Sequence, residues 1–337
     1  MKTSELLTER LDYSEYLPVL KRIIKNTFYS INSDEDFYDP KSKVNQFFYD
    51  IQDDIDNQIL KPLLKANPIT IDGTKVNHLL MSFNVTYDKN TPIGNLNVDA
   101  LNNQVVNLLK TKYPKQNFAA SSDTTANYIR SHTSFTGEAE FSYEADTRNG
   151  LIKMDVYGAS IANYVFISDD TKVITASLDQ LTNNIIGGII HEIKHYIQST
   201  KVAKNLGYNA QVNRFYTGDP KKLSDPQSGA VLKNKKYSTT KGGYWLNADE
   251  MNSWSANAAA EINSIFGADK QAIAQYMNAV MAGKQFNYKN TPVDTSLNHY
   301  RKMIFDKRHH VNVDRDSLWR KFVKDVYKDV QMYNIKT

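Results

Sequence analysis

Two histidines four residues apart bracket a glutamate in the run His191-Glu192-Ile193-Lys194-His195. On a helix, positions i and i+4 stand one above the other on the same face, so His191 and His195 can hold one metal ion together. Glu192 beside them can take a proton from a water that the metal has made acidic. The chain has no Cys, so disulfides and thiolate zinc sites are excluded and the ligands left are imidazole and carboxylate. The chemistry these residue types point to is zinc-assisted hydrolysis. The alternative is a surface helix that carries two stray histidines.

The element that must position them reads as a buried helix. Ser177-Leu178-Asp179-Gln180 has the spacing of a capping box, which sets the expected helix start. Ile185, Ile186, Ile189, Ile190, Ile193 and Ile197 then form an apolar surface wider than one amphipathic stripe, so the histidines face either the core or a cleft. Gly187 and Gly188 each weaken a helix by about 1 kcal/mol relative to Ala. Gly187, one turn before His191, either clears bulk from the metal-binding face or, like Gly188, permits close packing on a strand. Gln198 falls on the face of His191, where it can hydrogen-bond a ligand.

A catalytic zinc usually takes three protein ligands and leaves a fourth position to water. After His195 the chain has two glutamates, Glu250 and Glu261. Both fall in a helical pattern that opens at Asn247, a good N-cap, and carries a stripe of Met251, Trp254, Ala258, Ile262 and Ile265. Eleven residues separate them, about 16 Å along a helix axis, so only one can reach a single metal. Glu250 is the expected third ligand, although it also stands where it could complete a capping box with Asn247. Glu261 is expected to make a salt bridge or face solvent. His78 and His132 have no ligand spacing. His309, His310, Tyr216, Tyr237 and Tyr244 are candidates for oxyanion stabilisation among which the sequence does not choose.

The rest of the chain supplies the frame. Its 337 residues, 41% of them hydrophobic, suffice for one large domain or two small ones. A net charge of +4 gives no electrostatic case for nucleic acid or an acidic membrane surface. No run of 18 or more apolar residues suggests a membrane span, and the start at Met1-Lys2-Thr3-Ser4 lacks the apolar region of a secretory signal. The expected location is therefore cytoplasmic. Residues 1–66 read as a helical N-terminal extension, with Leu17, Leu20, Ile23, Ile24 and Phe28, then Val44, Phe47, Phe48, Ile51, Ile55 and Ile59 at helical spacing. Residues 67–337 form the second unit. It opens with a strand over 79–87 and a helix from Val98 that ends at Tyr113-Pro114. Strands over 138–145 and 151–157 follow, turned at Asn149-Gly150, with a shorter strand over 163–168. Residues 201–243, rich in Lys, Gly and Pro, read as a long insertion beside the cleft, and a last helix spans 316–333.

Strand, helix, several strands and then the His-Glu helix is an order that resembles the zincin metallopeptidases over residues 76–265. The resemblance implies an α+β fold in which a twisted, mostly antiparallel-edged sheet backs the active-site helix and a second ligand helix. It also implies an edge strand that holds extended substrate by main-chain hydrogen bonds, a place taken by Ile152, Met154 and Val156 with Lys153, Asp155 and Tyr157 outward. Tyr244 followed by Glu250 and Met251 is similar to the glutamate-ligand helix of the glutamate zincins. Gln198 and Lys201 stand where the third-histidine subgroup has Gly and His, which disfavours that subgroup. The run His191 to Gln198 also resembles small zincin-like proteins of bacteria and their phages. Met1-Lys2-Thr3 leading into Leu7-Thr8-Glu9 is similar to the leader of proteins packaged in tailed-phage heads. The resemblance thus implies a zinc metallopeptidase acting on a peptide or protein, with His191, His195 and Glu250 as ligands and Glu192 as base. Its alternative is a zinc-holding structural or virion-associated protein with virion partners and no turnover.

Overall fold

Apolar residues at helical spacing account for the first elements of the computed structural model, which describes residues 15–34, 40–71, 74–87, 97–132, 136–144, 146–157, 166, 168–206, 248–306 and 314–334. Leu17, Leu20, Ile23, Ile24, Phe28 and Ile31 are the buried face of α1 (Tyr16–Asn32). Val44, Phe47, Phe48, Ile51 and Ile55 are buried along α2 (Pro40–Ile55). A π-helical turn, Asp56–Leu60, joins α2 to α3 (Lys61–Ala66), which stops just before Pro68, where the residue ahead of a proline is driven out of the helical region. Two short strands, β1 (Thr70–Ile71) and β2 (Thr74–Lys75), pair antiparallel and lead into β3 (His78–Thr86).

α4 (Val98–Lys112) starts at Asn97, whose side chain accepts from the Ala100 N–H, and stops at Tyr113 as its sequence suggests. α5 (Ser122–His132) buries Thr125, Ala126, Ile129 and Ser131, small or polar side chains that give little periodic signal. β4 (Thr136–Glu144) and β5 (Asn149–Tyr157) make an antiparallel hairpin, and β5 also pairs in parallel with β3. The sheet order is β3–β5–β4. β5 alternates as expected, with Ile152, Met154 and Val156 buried and Lys153 and Asp155 exposed. It is nevertheless the central strand and not an edge, because it has a partner on each side; β3 and β4 form the edges among the described strands.

The hairpin turn also lies elsewhere than at Asn-Gly. Asn149 and Gly150 are already in β5, opposite Glu144 and Tyr143, and Arg148 takes the left-handed conformation at φ 58°. Gly150 answers a packing need, since a Cβ there would meet the Phe141 ring and Leu79.

α6 (Thr171–Leu206) is the long helix around which the other elements assemble, packing on α1, α5, β4 and α7 (Ala248–Phe266). It begins at Thr171, ahead of the expected Ser177. Asp170 takes the backbone N–H groups of Lys172 and Val173 and is itself held by the Ser122 hydroxyl, so the first orphan donors are satisfied there. Ser177 lies within the helix and donates to the Val173 carbonyl. Residues 201–206 of the expected insertion continue the helix; residues 207–247 lie outside the described residues, as does the expected strand over 163–168 apart from Phe166 and Ser168.

α8 (Lys270–Met281) is capped by Asp269, and the hairpin β6 (Phe286–Tyr288) and β7 (Thr291–Val293) follows it. α9 (Ser296–Phe305) starts in a capping box of Thr295 and Asn298, and α10 (Arg315–Asn334) packs on α7, where the Ser255 hydroxyl donates to Asp329. One hydrophobic core runs from Leu17 to Val330, with α1 against α6 and α2 against β3. The architecture is mixed α+β, mostly helical with a small sheet. Among the described residues no helix is long and apolar enough to cross a membrane.

Candidate metal centre

His191 and Glu192 lie in the middle of α6 and are both buried, at 8% and 6% exposure. Adjacent helix positions point about 100° apart, so two neighbours normally diverge. Here His191 Nε2 and Glu192 Oε1 stand 3.8 Å apart, which requires both side chains to lean towards one space. On one flank Glu192 reaches the sheet, where its Oε2 accepts the Phe141 N–H of β4 at 3.0 Å. On the other flank the His191 ring meets Trp254 of α7 edge-on, with centroids 5.7 Å apart at 77°. The site therefore lies between the β4 edge and α7, with α6 supplying the chemical groups.

The two glycines explain how close these flanks come. A Cβ on Gly188 would strike the tip of Met154 in the sheet and lie 3.4 Å from Ala139. A Cβ on Gly187 would strike the Asn257 carboxamide of α7. Gly188 thus serves packing on the sheet, and the space that Gly187 leaves is taken by a side chain of α7. The Oδ1 of Asn257 is buried and has no hydrogen-bond partner among the described residues. His191 against Trp254 and Gly187 against Asn257 fix the register of α6 on α7: the helices run antiparallel, one falling in number as the other rises. Trp254 reads in the sequence only as part of an apolar stripe. Its signal is the spacing Glu250, Trp254, Asn257, Glu261, a seam with alternating steps of four and three that faces α6 at Trp254 and Asn257.

His195 is on α6 one turn after His191, and Glu250 is in the first turn of α7; their side chains, like that of Gln198, lie outside the described residues. Among the described side chains no three potential metal ligands converge. Tyr216, Tyr237, Tyr244, His309 and His310, the oxyanion candidates, also lie outside, as do Asn247 and the N-terminal residues 1–14.

Glu261 is partly buried and forms no salt bridge among the described residues, unlike the expectation. Its two carboxylate oxygens accept from Ser296, one from the backbone N–H at 2.7 Å and one from the hydroxyl at 2.5 Å, at the start of α9. A carboxylate is well placed at the positive end of a helix. Burial raises its pKa while the Ser296 bonds pull it back. With both oxygens engaged there, Glu261 is committed to structure. His132 is equally structural: it stacks on Tyr128 with centroids 4.8 Å apart, and its Nδ1 lies 2.6 Å from the Ser131 hydroxyl.

The donor chemistry present fits zinc. The buried imidazole of His191 and the buried carboxylate of Glu192, 3.8 Å apart, are donor types that zinc takes. His191 brings the nitrogen donor that zinc prefers, and the helix carries the second histidine at the spacing a shared ion needs. Neither family models, nor curated proteins, nor solved structures give a match to this chain.

Proposed function

We propose that the chain is a zinc-dependent metallopeptidase of zincin-like architecture that hydrolyses amide bonds of a peptide or protein. The observation that carries the reading is the pair His191 and Glu192, both buried on α6 and leaning into one space, with position 195 one helical turn further on. His191, His195 and Glu250 are the proposed ligands. Support for Glu250 comes from helix register: continuing the His191–Trp254 level by one turn on each antiparallel helix brings position 195 towards position 250. Bound zinc would supply Lewis acidity, lowering the pKa of water towards neutral and polarising the scissile carbonyl.

The remaining work falls to the chain. Glu192 accepts the proton of the attacking water and returns it to the leaving amine. Its bond to the Phe141 N–H leaves Oε1 on the side of His191 and fixes the carboxylate between sheet and ligand. Among the described residues no strand pairs with β4 on the side away from β5, the side to which the Phe141 N–H points. An extended substrate held on the free side of β4 by main-chain hydrogen bonds would therefore run past Glu192. His191 and Glu192 are themselves nearly closed off from solvent, with the Trp254 ring against His191.

A second reading has one observation in its favour. The Glu192–Phe141 bond gives the glutamate a structural task that needs no turnover, as in a zinc-holding structural or virion-associated protein. The test is metal analysis of purified protein together with a peptide-library digest. The expected result is close to one zinc per chain, cleavage by the parent, and loss of both in His195→Ala. Undiminished zinc in a His191→Ala, His195→Ala double variant refutes the metal centre. One zinc per chain with no cleavage of any peptide favours the structural protein.

A further inference from the structure

A concavity lies well away from the candidate metal centre. It is a groove of ≈ 1020 Å³ bounded by residues 116–121, α5, the first turns of α6 and the β6–β7 turn. Thr175, which lines it, precedes His191 by sixteen residues of one helix, about 24 Å at 1.5 Å per residue. Small-molecule sites of about 300–1,000 Å³ are lined mainly by apolar and aromatic groups. This one is not. Its apolar lining is limited to Phe118, which is buried, and two alanines.

What lines the groove instead are groups that both donate and accept. Gln116, Asn117, Asn127 and Asn290 bring carboxamides, and Thr171 brings a hydroxyl. Paired donors and acceptors of that kind match vicinal hydroxyls on a ligand. Three cations join them. Lys172 is already paired with Asp123 at 2.9 Å, but Arg130, half-buried, and Lys289 have no carboxylate partner among the described residues. A guanidinium with five donors and no acidic partner is suited to a planar or tetrahedral anion.

The turn that presents Lys289 adds an independent observation. Lys289 and Asn290 join β6 to β7 as a two-residue turn with both residues left-handed, at φ 49° and 62°. Such turns favour Asn-Gly or Gly-Gly, and a lysine at the first position is strained there. Strain kept at a residue that lines a groove points to use of its side chain.

We propose that this groove binds an anionic oligosaccharide, with Arg130 and Lys289 on its acidic groups and the carboxamides on its hydroxyls. The volume exceeds what a lone ion fills, and the scarcity of aromatic platforms disfavours neutral sugars held by stacking. The proposal does not depend on the peptidase reading.

The test is calorimetric titration of the full chain with a galacturonate tetrasaccharide and with a sulfated heparin tetrasaccharide. A neutral maltotetraose and tetraglutamate serve as comparisons. At least one acidic saccharide should bind, maltotetraose should not, and tetraglutamate should bind at least about tenfold more weakly than the saccharide. Arg130→Gln and Lys289→Asn should each weaken saccharide binding by about tenfold or more, as loss of a charge-assisted bond implies. Lys289→Asn should at the same time raise the thermal midpoint, since Asn tolerates the left-handed turn, so weakened binding cannot be put down to misfolding. No binding of either acidic saccharide, or binding unchanged in both variants, overturns the proposal. Tetraglutamate bound as tightly as the saccharides overturns the saccharide assignment.

Discussion

At the scale of single residues, Glu192 has two tasks that substitution can separate. As base it needs a carboxylate, whereas as acceptor for the Phe141 N–H it needs only an oxygen. Glu192→Gln keeps that oxygen and nearly the same volume, so the thermal midpoint should stay close to the parent's while peptide hydrolysis falls by a factor on the order of 10²–10⁴. Glu192→Ala leaves the Phe141 N–H unsatisfied in a buried place and should cost about 1–3 kcal/mol in urea unfolding. Parent-rate cleavage by Glu192→Gln would remove Glu192 from the mechanism. Equal stability of the two variants would show that the Phe141 bond contributes nothing to the fold. The sequence already shows the histidine spacing, because periodicity alone decides whether two side chains share a helix face. It does not show the Phe141 partner, since a backbone N–H carries no residue-type signature.

At the scale of elements, the α6–α7 contact decides how His191 meets Trp254, and Gly187 is its tightest point. Gly187→Ala should gain up to about 1 kcal/mol in helix propensity but lose about 1–3 kcal/mol by overpacking on Asn257. A net loss is expected, and Asn257→Ala should restore it in a double-mutant cycle. Gly188→Ala meets the flexible end of Met154 and should cost less. Additive effects of Gly187→Ala and Asn257→Ala would show that the two do not touch. Which elements can be read from sequence follows from what they bury. α1, α2, α4, α7 and α10 show their apolar faces, and α8 carries a legible stripe of Ile273, Tyr276, Met277 and Val280 after Asp269. α5 is hidden because Thr125 and Ser131 are among its buried residues. The misplaced helix start and hairpin turn share one cause. Ser177 and Asn149-Gly150 have the right local chemistry, but Asp170 with Ser122 and the Phe141 ring against Gly150 are contacts between distant segments. Strand order has the same origin, for alternation shows that β5 has one buried face and says nothing of how many neighbours it has.

At the scale of the whole molecule, the two edges of the sheet are treated alike. The Phe141 N–H of β4 is taken by Glu192, and on the far side the Met81 N–H of β3 is taken by Asp56 from the π-helical turn at 2.6 Å. On β3 the Asp56 carboxylate on the outward Met81 N–H blunts the edge against pairing with another strand. Asp56 does so at a cost, because burial pushes its pKa up to about 6, opposed by the Met81 bond and aided by Asp53. The folded state therefore holds this proton more tightly than the unfolded one, and stability falls as pH rises from about 4 through about 6. His132 acts in the opposite sense. Burial and then Lys112 lower its pKa to about 4, against the pull of Asp294, within a cluster that ties α5 to Tyr113 after α4 and to Asp294 before α9. The unfolded chain takes up that proton first, so stability falls as pH drops from about 6.5 through about 4. In the parent the two slopes oppose each other over pH 4–6. Asp56→Asn keeps the acceptor for Met81 and removes only the titration. It should stabilise the chain above pH 6, lose that advantage below pH 4, and expose the His132 slope as a steeper fall in stability between pH 6.5 and 4. Urea unfolding at pH 7, 5.5 and 4 measures it, and identical pH profiles for parent and variant would mean that Asp56 is not held protonated by the fold.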